Sequence, residues 1–392
     1  MDVKRPSTTR KPIEGLVTAG LFAGVGGLER GLQMAGHQTR LLCELDPDAL
    51  SVLENRFKGV ELHADIKSLR QLPAVELIAA GFPCQDLSQA GQTGGIRGKQ
   101  SGLVDHLFKL VKTASTRPAW ILLENVPFML FLHKGHAMHH VLHNLEELGY
   151  SWAYRIVDAQ AFGLPQRRRR VIILASLSGD PRSVLLSQDA GVKNPRRPDD
   201  AWCGFYWTEG GTGLGWAVNS VPPLKGGSRV GIPSSPAIWV PEDGLIGTPD
   251  IRDAERLQGF PSNWTRPLEA KFRDRLRWRM VGNAVSVPVA RWIGQRLTDP
   301  FDYDPTNDVS FNRKEGWPKA AWGRKGIQFV SQVSAWPVHE PFKGLHRFLL
   351  HPLAPLSFKA TSGFYSRAIA SGLRFEPGFL KAVQEHMKRY KA

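Results

Sequence analysis

Cysteine is nearly absent from this 392-residue chain: Cys43, Cys84 and Cys203 are scattered too widely for a disulfide framework or a thiolate zinc site. Nowhere do apolar residues run to the roughly 18 needed to cross a bilayer, which argues against a helical membrane protein. The opening Met1-Asp2-Val3-Lys4-Arg5-Pro6 lacks the apolar stretch of a signal peptide, so the chain reads as cytosolic. Acid is in short supply: 36 Asp and Glu face 51 Lys and Arg, a formal net charge of +15. That balance suits a protein that meets phosphate backbones, and good solubility alone would also explain it. What is present is ordinary for a globular protein. Hydrophobic residues make up 42% and charged residues 22%, which excludes a largely disordered chain, and the length favours two or three domains.

Residues 15–22 read as an apolar strand, Ala23-Gly24-Val25-Gly26-Gly27 as a tight turn, and 28–35 as a helix with Leu28, Leu32 and Ala35 on its apolar side. Further strands are expected at 39–44, 75–80, 120–123, 154–158 and 171–175. Pro47 opens a helix at a position where its missing donor costs nothing. Strands alternating with helices predict an α/β fold on a mostly parallel, doubly wound sheet. Near Ser176 the pattern breaks. The chain becomes rich in Gly, Pro, Trp and Ser to about Pro249, as in a smaller irregular domain with Trp202, Trp207, Trp216 and Trp239 as its core. Helical patterns return at 250–259 and 285–297. From 301 onward, fourteen Lys and Arg against seven Asp and Glu predict a basic, folded appendage.

Three stretches carry chemistry. The glycine turn after the first strand lets backbone approach a cofactor closely. Glu44, twenty positions after Gly24, is placed to accept hydrogen bonds from ribose hydroxyls. Either a nicotinamide cofactor or S-adenosylmethionine fits, and the missing third glycine of the pyrophosphate fingerprint leans away from a dinucleotide. Gly81-Phe82-Pro83-Cys84-Gln85 puts a thiol at the carboxyl end of a strand, where open α/β sheets hold ligands, ahead of a glycine-rich stretch, 91–102, that resembles a lid. The next strand ends in Glu124-Asn125-Val126, bringing a carboxyl group to the same edge, and a nucleophile beside an acid is a catalytic arrangement. In Gln166-Arg167-Arg168-Arg169-Arg170, strand alternation points Arg168 and Arg170 one way, Arg167 and Arg169 the other. His136, His140 and His143 share a helix face, but nothing in this chemistry needs a metal, and none is expected.

In order and spacing these pieces resemble the cytosine-5 DNA methyltransferases of bacterial restriction-modification systems, over 14–175 and again over about 250–299. Phe22-Ala23-Gly24-Val25-Gly26-Gly27 is similar to the family's cofactor loop, Gly81-Phe82-Pro83-Cys84-Gln85 to its nucleophile motif, Glu124-Asn125-Val126 to its acid motif, and Gln166-x-Arg168-x-Arg170 to its arginine motif. Arg256-Leu257-Gln258-Gly259-Phe260-Pro261 and Val281-Gly282-Asn283-Ala284-Val285 resemble two late motifs.

The resemblance implies a cofactor-binding catalytic domain of 14–175 plus 276–299 and a target-recognition domain of 176–275. Residues 300–392, where the resemblance ends, would then be an appendage, expected from its charge to touch DNA without sequence preference, with packing in support of the cofactor domain as the alternative. It implies methyl transfer from S-adenosylmethionine to carbon 5 of a flipped-out cytosine in a specific duplex sequence, through a covalent Cys84 adduct, with Pro83 and Gln85 in the same motif. Glu124 would act at ring nitrogen 3. Arg168 would hold the base's carbonyl and orient Glu124, with Arg170 as second choice. Phe22 would meet adenine, Glu44 the ribose, Asp65 the exocyclic amine and Ile66 the ring. Gly24, Gly26 and Gly27 would form the loop, with Asn283 near the methionine end and Val285 beside it. Implied partners are double-stranded DNA and a cognate restriction endonuclease, for a cytoplasmic monomer with no membrane contact. The family's Thr-Leu-type dipeptide has only Ser235-Pro236-Ala237-Ile238 as its nearest counterpart, so no base contact is assigned there. Three rivals are an RNA cytosine-5 methyltransferase, a silent DNA-binding regulator and a nicotinamide oxidoreductase. The tRNA branch carries Cys-Phe-Thr where this chain has Cys203-Gly204-Phe205; intact Cys84, Glu124 and Arg168 oppose the second, and a Cys–Glu pair has no hydride-transfer role in the third.

Overall fold

The computed structural model describes residues 14–83, 102–192, 201–209, 213–227, 235–271, 273–312 and 315–391; Cys84, Gln85 and the glycine-rich stretch behind them lie outside the described residues. A parallel half-sheet comes first. Strands β1 (Val17–Leu21), β2 (Gln38–Cys43), β3 (Glu61–His63), β4 (Leu77–Ala80) and β5 (Trp120–Asn125) pair in the order β3-β2-β1-β4-β5. β4 is buried on both faces because helices cover both. Leu77 and Ala79 pack with Leu28 and Leu32 of helix α1 (Gly27–Met34), while Ile78 and Ala80 share a core with Leu107 and Val111 of a helix at Leu103–Thr113 and Val141 and Leu145 of another at His136–Glu147. These two are α3 and α4; α2 (Pro47–Arg56) precedes them, with Pro47 in its first turn and Asp46 capping the amides of Asp48 and Ala49.

The alternation in the sequence corresponds to this half. The other half is antiparallel. β6 (Ser151–Asp158) and β7 (Arg169–Ser176) form a long hairpin, and β7 joins the parallel strands by pairing antiparallel with β5. After a short helix, α5 (Pro181–Leu185), the chain builds a second sheet from β8 (Cys203–Phe205), β9 (Ala217–Val218), β10 (Ala237–Val240) and β11 (Leu245–Thr248). It returns through α6 (Ile251–Leu257), α7 (Arg273–Asn283) and α8 (Val287–Thr298). α8 lies against α1, and Gly31 permits the approach: a Cβ there would come within 2.5 Å of Ala290 Cβ.

The residues after 299 correct the expectation of a basic appendage, because they are divided between the two sheets. β12 (Val309–Ser310), β13 (Ala320–Arg324) and β14 (Ile327–Val330) extend the large sheet, β13 pairing antiparallel with β6, to give ten strands. Arg155 of β6, wholly buried, donates to the carbonyls of Leu185 and Ser334 and pairs with Asp189 at 2.8 Å. Past a short helix α9 (Leu345–Phe348), β15 (Ala354–Pro355) adds to the edge of the second sheet, and α10 (Phe358–Ala370) and α11 (Phe379–Arg389) cover it. Phe364 and Phe379 each lie 5.1 Å, ring to ring, from Phe205, and Phe379 lies 4.9 Å from Trp216. His386 accepts from the Ile246 amide through Nδ1 and sits 2.8 Å from the Leu356 carbonyl through Nε2. Burial lowers its pKa and favours this neutral bridge. Charge counting could not distinguish such a segment from a tail, because its positive residues lie outside while its aromatics fill a core.

Cys43 and Cys203 are both buried, and burial pushes the Cys43 thiol up to about 12. His140 pairs with Asp105 at 2.6 Å and the rings of His139 and His143 stack. Among the described residues no group of three metal-binding side chains converges, and no helix is long and apolar enough to cross a membrane.

Candidate active site

The carboxyl ends of β1, β4 and β5 open into one cavity of about 1010 Å³. Parallel strands place their loops on a common edge, so residues far apart in sequence meet there. One side is built by the turn after β1. Phe22 has φ 55, and so does Gly24, where nothing lies within 4 Å of a notional Cβ. A non-glycine residue held in left-handed backbone marks a loop shaped by something other than local preference. Gly24 lines the cavity; Gly26 and Gly27 do not. A Cβ at Gly26 would strike the Phe57 ring at 2.3 Å, and one at Gly27 would come within 2.4 Å of the Val285 carbonyl oxygen. These two glycines seat α1, while Gly24 faces open space.

Glu44 closes the loop from the next strand. Its Oε2 accepts the Gly24 amide at 2.7 Å and its Oε1 accepts the Asp46 amide at 2.8 Å, leaving further lone pairs toward the cavity. Asn283 reaches the same cavity from the end of α7, and Val285 packs behind Gly81. Asp65 and Ile66 do not line it. The Asp65 carboxylate accepts the Lys67 amide, and Ile66 is buried in the core against which Phe22 packs. Sequence reasoning missed Arg279, which projects from α7 to Asp46 and Asp48 at 2.9 Å each and ties the late helix to the start of α2.

The opposite side carries the acid. Glu124, the penultimate residue of β5, is 7% exposed. Its neighbour Asn125, also unassigned from sequence, donates from Nδ2 to the Phe82 carbonyl at 3.0 Å and accepts the Val126 amide through Oδ1. It thereby pins Gly81-Phe82-Pro83, which lines the cavity up to Pro83. The arginine expectation is corrected at one point: Glu124 Oε1 is paired with Arg170 Nε at 2.8 Å, not with Arg168. Register explains the choice. Glu124 lies opposite Ile172, which makes Arg170 its diagonal neighbour on the same face of the sheet, within reach of a long side chain. Arg168 precedes β7 and also lines the cavity, but it is 2% exposed and donates to the carbonyls of Leu224 at 3.1 Å and Ala284 at 2.7 Å. It joins the second sheet's approach to the loop before α8. Burial pulls the pKa of both guanidiniums below the usual arginine value, and Glu124 draws both back up. Glu124 Oε1 is buried against the Arg170 guanidinium.

Thus a carboxyl–guanidinium pair and a loop suited to a nucleoside share one cavity. The family description "C-5 cytosine-specific DNA methylase" matches residues 16–200 and 250–299. A type II methyltransferase of Bacillus subtilis (strain 168), M2.BsuMI, is 48% identical over 375 residues, covering 93% of this chain and 96% of that protein. The type II methyltransferase M.DsaV of Dactylococcopsis salina is 29% identical over 72% of this chain and 86% of its own length. Among solved structures, the Dnmt2 methyltransferase of S. pombe superposes with a TM-score of 0.53 at 15% identity, covering 72% of this chain and 98% of that one. The Entamoeba histolytica methyltransferase EhMeth gives 0.51 at 18%, over 73% and 99%. At those identities the two structures speak for the fold alone.

Proposed function

The chain belongs to the C-5 cytosine-specific DNA methylases, and we propose that Glu124 and Arg170 hold a flipped-out cytosine by its N3 and O2 edge while Cys84 attacks carbon 6. Carbon 5 of cytosine is a poor nucleophile. Addition of a thiolate at carbon 6 makes the ring an enamine, and Glu124 meets the charge that develops at N3 with a hydrogen bond or proton. Arg170 spends Nε on Glu124 and one Nη on the Arg169 carbonyl, which leaves its other Nη for the base oxygen. Once carbon 5 carries the methyl group, a base or water takes its proton and the Cys84 sulfur departs with the electron pair of the C–S bond. None of this is possible inside a stacked duplex, so the base leaves the helix first. The observation that carries the reading is the buried Glu124–Arg170 pair in the same cavity as Gly24 and Glu44.

S-adenosylmethionine would supply an electrophilic methyl group on its sulfonium. The site fits it: Gly24 leaves open space, Glu44 would offer carboxylate lone pairs to ribose hydroxyls, Phe22 would meet adenine and Asn283 would lie toward the methionine end. Glu44→Ala should weaken S-adenosylmethionine binding by about 1–3 kcal/mol, measured by calorimetry, since one charge-assisted acceptor is lost; unchanged affinity would move the ribose contact elsewhere. Arg170→Ala should slow single-turnover methylation by about 10²–10³-fold with cofactor affinity intact, as expected for loss of one buried donor to the reacting base. A variant as fast as the parent would return that role to Arg168.

Target recognition is assigned to the second sheet, and the family description passes over 201–249, where most of that sheet lies. By analogy with its type II relatives, the enzyme would protect DNA in the cytoplasm from an endonuclease reading the same sequence, acting as a monomer. Incubation with a mixed-sequence duplex, followed by base-resolution detection of 5-methylcytosine, tests activity and target together. Methyl transfer to tRNA and none to DNA would overturn the reading.

A further inference from the structure

Two phenylalanines stand in water beside the catalytic strand. Val126 is the last residue of that wall to line the cavity; the chain then makes one 3₁₀ turn, Pro127–Leu130, and continues to Phe131. Phe128 and Phe131 are 61% and 66% exposed, whereas Met129 and Leu130 between them are buried in the main core. Side chains three apart on such a turn eclipse one another, so both rings project from one face. The turn is firmly held. The amides of Phe131 and Leu132 both donate to the Phe128 carbonyl at 3.0 Å. His133, Lys134 and Gly135 follow with φ of 51, 56 and 84, and Trp317 Nε1 closes on the Gly135 carbonyl at 2.9 Å. The Trp317 ring occupies the space that a Cβ at Gly135 would need, 2.6 Å away. Two exposed rings on a firmly held turn, just past a strand end that lines the cavity, call for a partner surface.

Resting on the cytosine reading above, we propose that Phe128 and Phe131 form an apolar wedge that meets duplex DNA at the target pair, with Phe128 stacking on the surface left when the base swings out. The turn that carries the rings follows directly on Glu124-Asn125-Val126, which lines the cavity that would receive that base. Exposed Lys134 and the chain's net charge of +15 suit a polyanion. Within such a partner the flat faces of unstacked bases are the apolar surface on offer, and proteins that distort duplexes commonly insert apolar side chains there. Two rings flanked by a cation fall well short of the apolar area a stable protein interface uses.

The test compares two duplexes of identical sequence, one with the target cytosine paired to guanine and one with it opposite an abasic site. Extruding an unpaired base is easy, so the wedge should matter only for the paired duplex. Phe128→Ala/Phe131→Ala is expected to slow single-turnover methylation of the paired duplex about tenfold to a hundredfold, the scale of a lost base–aromatic contact. On the abasic duplex the loss should nearly vanish. Phe128→Leu should retain most of the parent's rate on both, and S-adenosylmethionine affinity should not change. Equal losses on both duplexes, or no loss on either, would overturn the wedge. A drop in cofactor affinity or melting temperature accompanying the loss would assign the rings to packing and overturn it as well. The parent's methylation of carbon 5 on both duplexes separates the two claims: a parent inactive on both would bring down the cytosine reading, and the wedge with it.

Discussion

Cys84→Ser is expected to abolish methyl transfer while leaving S-adenosylmethionine binding at the parent's level. A serine hydroxyl is far less ionised than a thiol at neutral pH, and an alcohol is a poor nucleophile toward an aromatic ring carbon, so addition at carbon 6 fails. Cofactor affinity should survive because Phe22, Gly24 and Glu44 belong to the segments after β1 and β2, which a change at position 84 leaves as they are. Asn125, clasping the Phe82 carbonyl, keeps the approach to position 84 in place whichever side chain follows. Single-turnover kinetics and calorimetry on the same preparation check both halves. Activity within about tenfold of the parent would sink the covalent route, since nucleophilic catalysis of this kind does not tolerate so weak a nucleophile.

Removing everything after Pro300 is expected to destroy the folded protein, not merely to weaken DNA binding. β13 covers β6, the Tyr154 hydroxyl donates to the Pro318 carbonyl, and Arg155 would lose its Ser334 acceptor. In the second sheet, Phe364, Phe379 and Val383 are fully buried against Phe205, Trp216 and Trp239. Losing one buried aromatic costs about 3–5 kcal/mol, and losing two approaches the whole stability of a typical domain. The truncated chain should therefore appear in the insoluble fraction, or melt far below the parent if recovered. A soluble product with the parent's melting temperature would mean that these helices decorate the second sheet without holding it together.

What was legible in the sequence was local. The strand, glycine turn and helix from Val17 to Met34 lie within one stretch, and the glycines announce the close approaches that Gly26 and Gly27 make. Glu44 and Glu124 could be placed because each ends an apolar run, and a run's end on a parallel strand has a known address. The choice between Arg168 and Arg170 was of a different kind. Alternation put both on one side, but which of them reaches Glu124 depends on the register of β5 against β7, strands about fifty residues apart. Arg279 reaches Asp46 across more than two hundred residues, a contact no local pattern encodes. The C-terminal segment misled for a related reason. Its charge is a surface property, while its place in the fold is written in Phe364 and Ala368 and in Phe379 and Val383, pairs four apart whose partners stand on β8 and β10.

Burial of two of the three thiols turns the enzyme into its own single-site reporter. Cys43 is shielded and held protonated, and Cys203 sits on an interior strand with its Sγ 3.3 Å from the Ala201 carbonyl oxygen. A water-soluble alkylating reagent acts on thiolates that it can touch, so neither should be labelled while the fold persists. Any label that the native chain takes up then belongs to Cys84. The state of Cys84, the proposed nucleophile, free or engaged with a base, can be counted by intact mass during turnover without a cysteine-depleted variant.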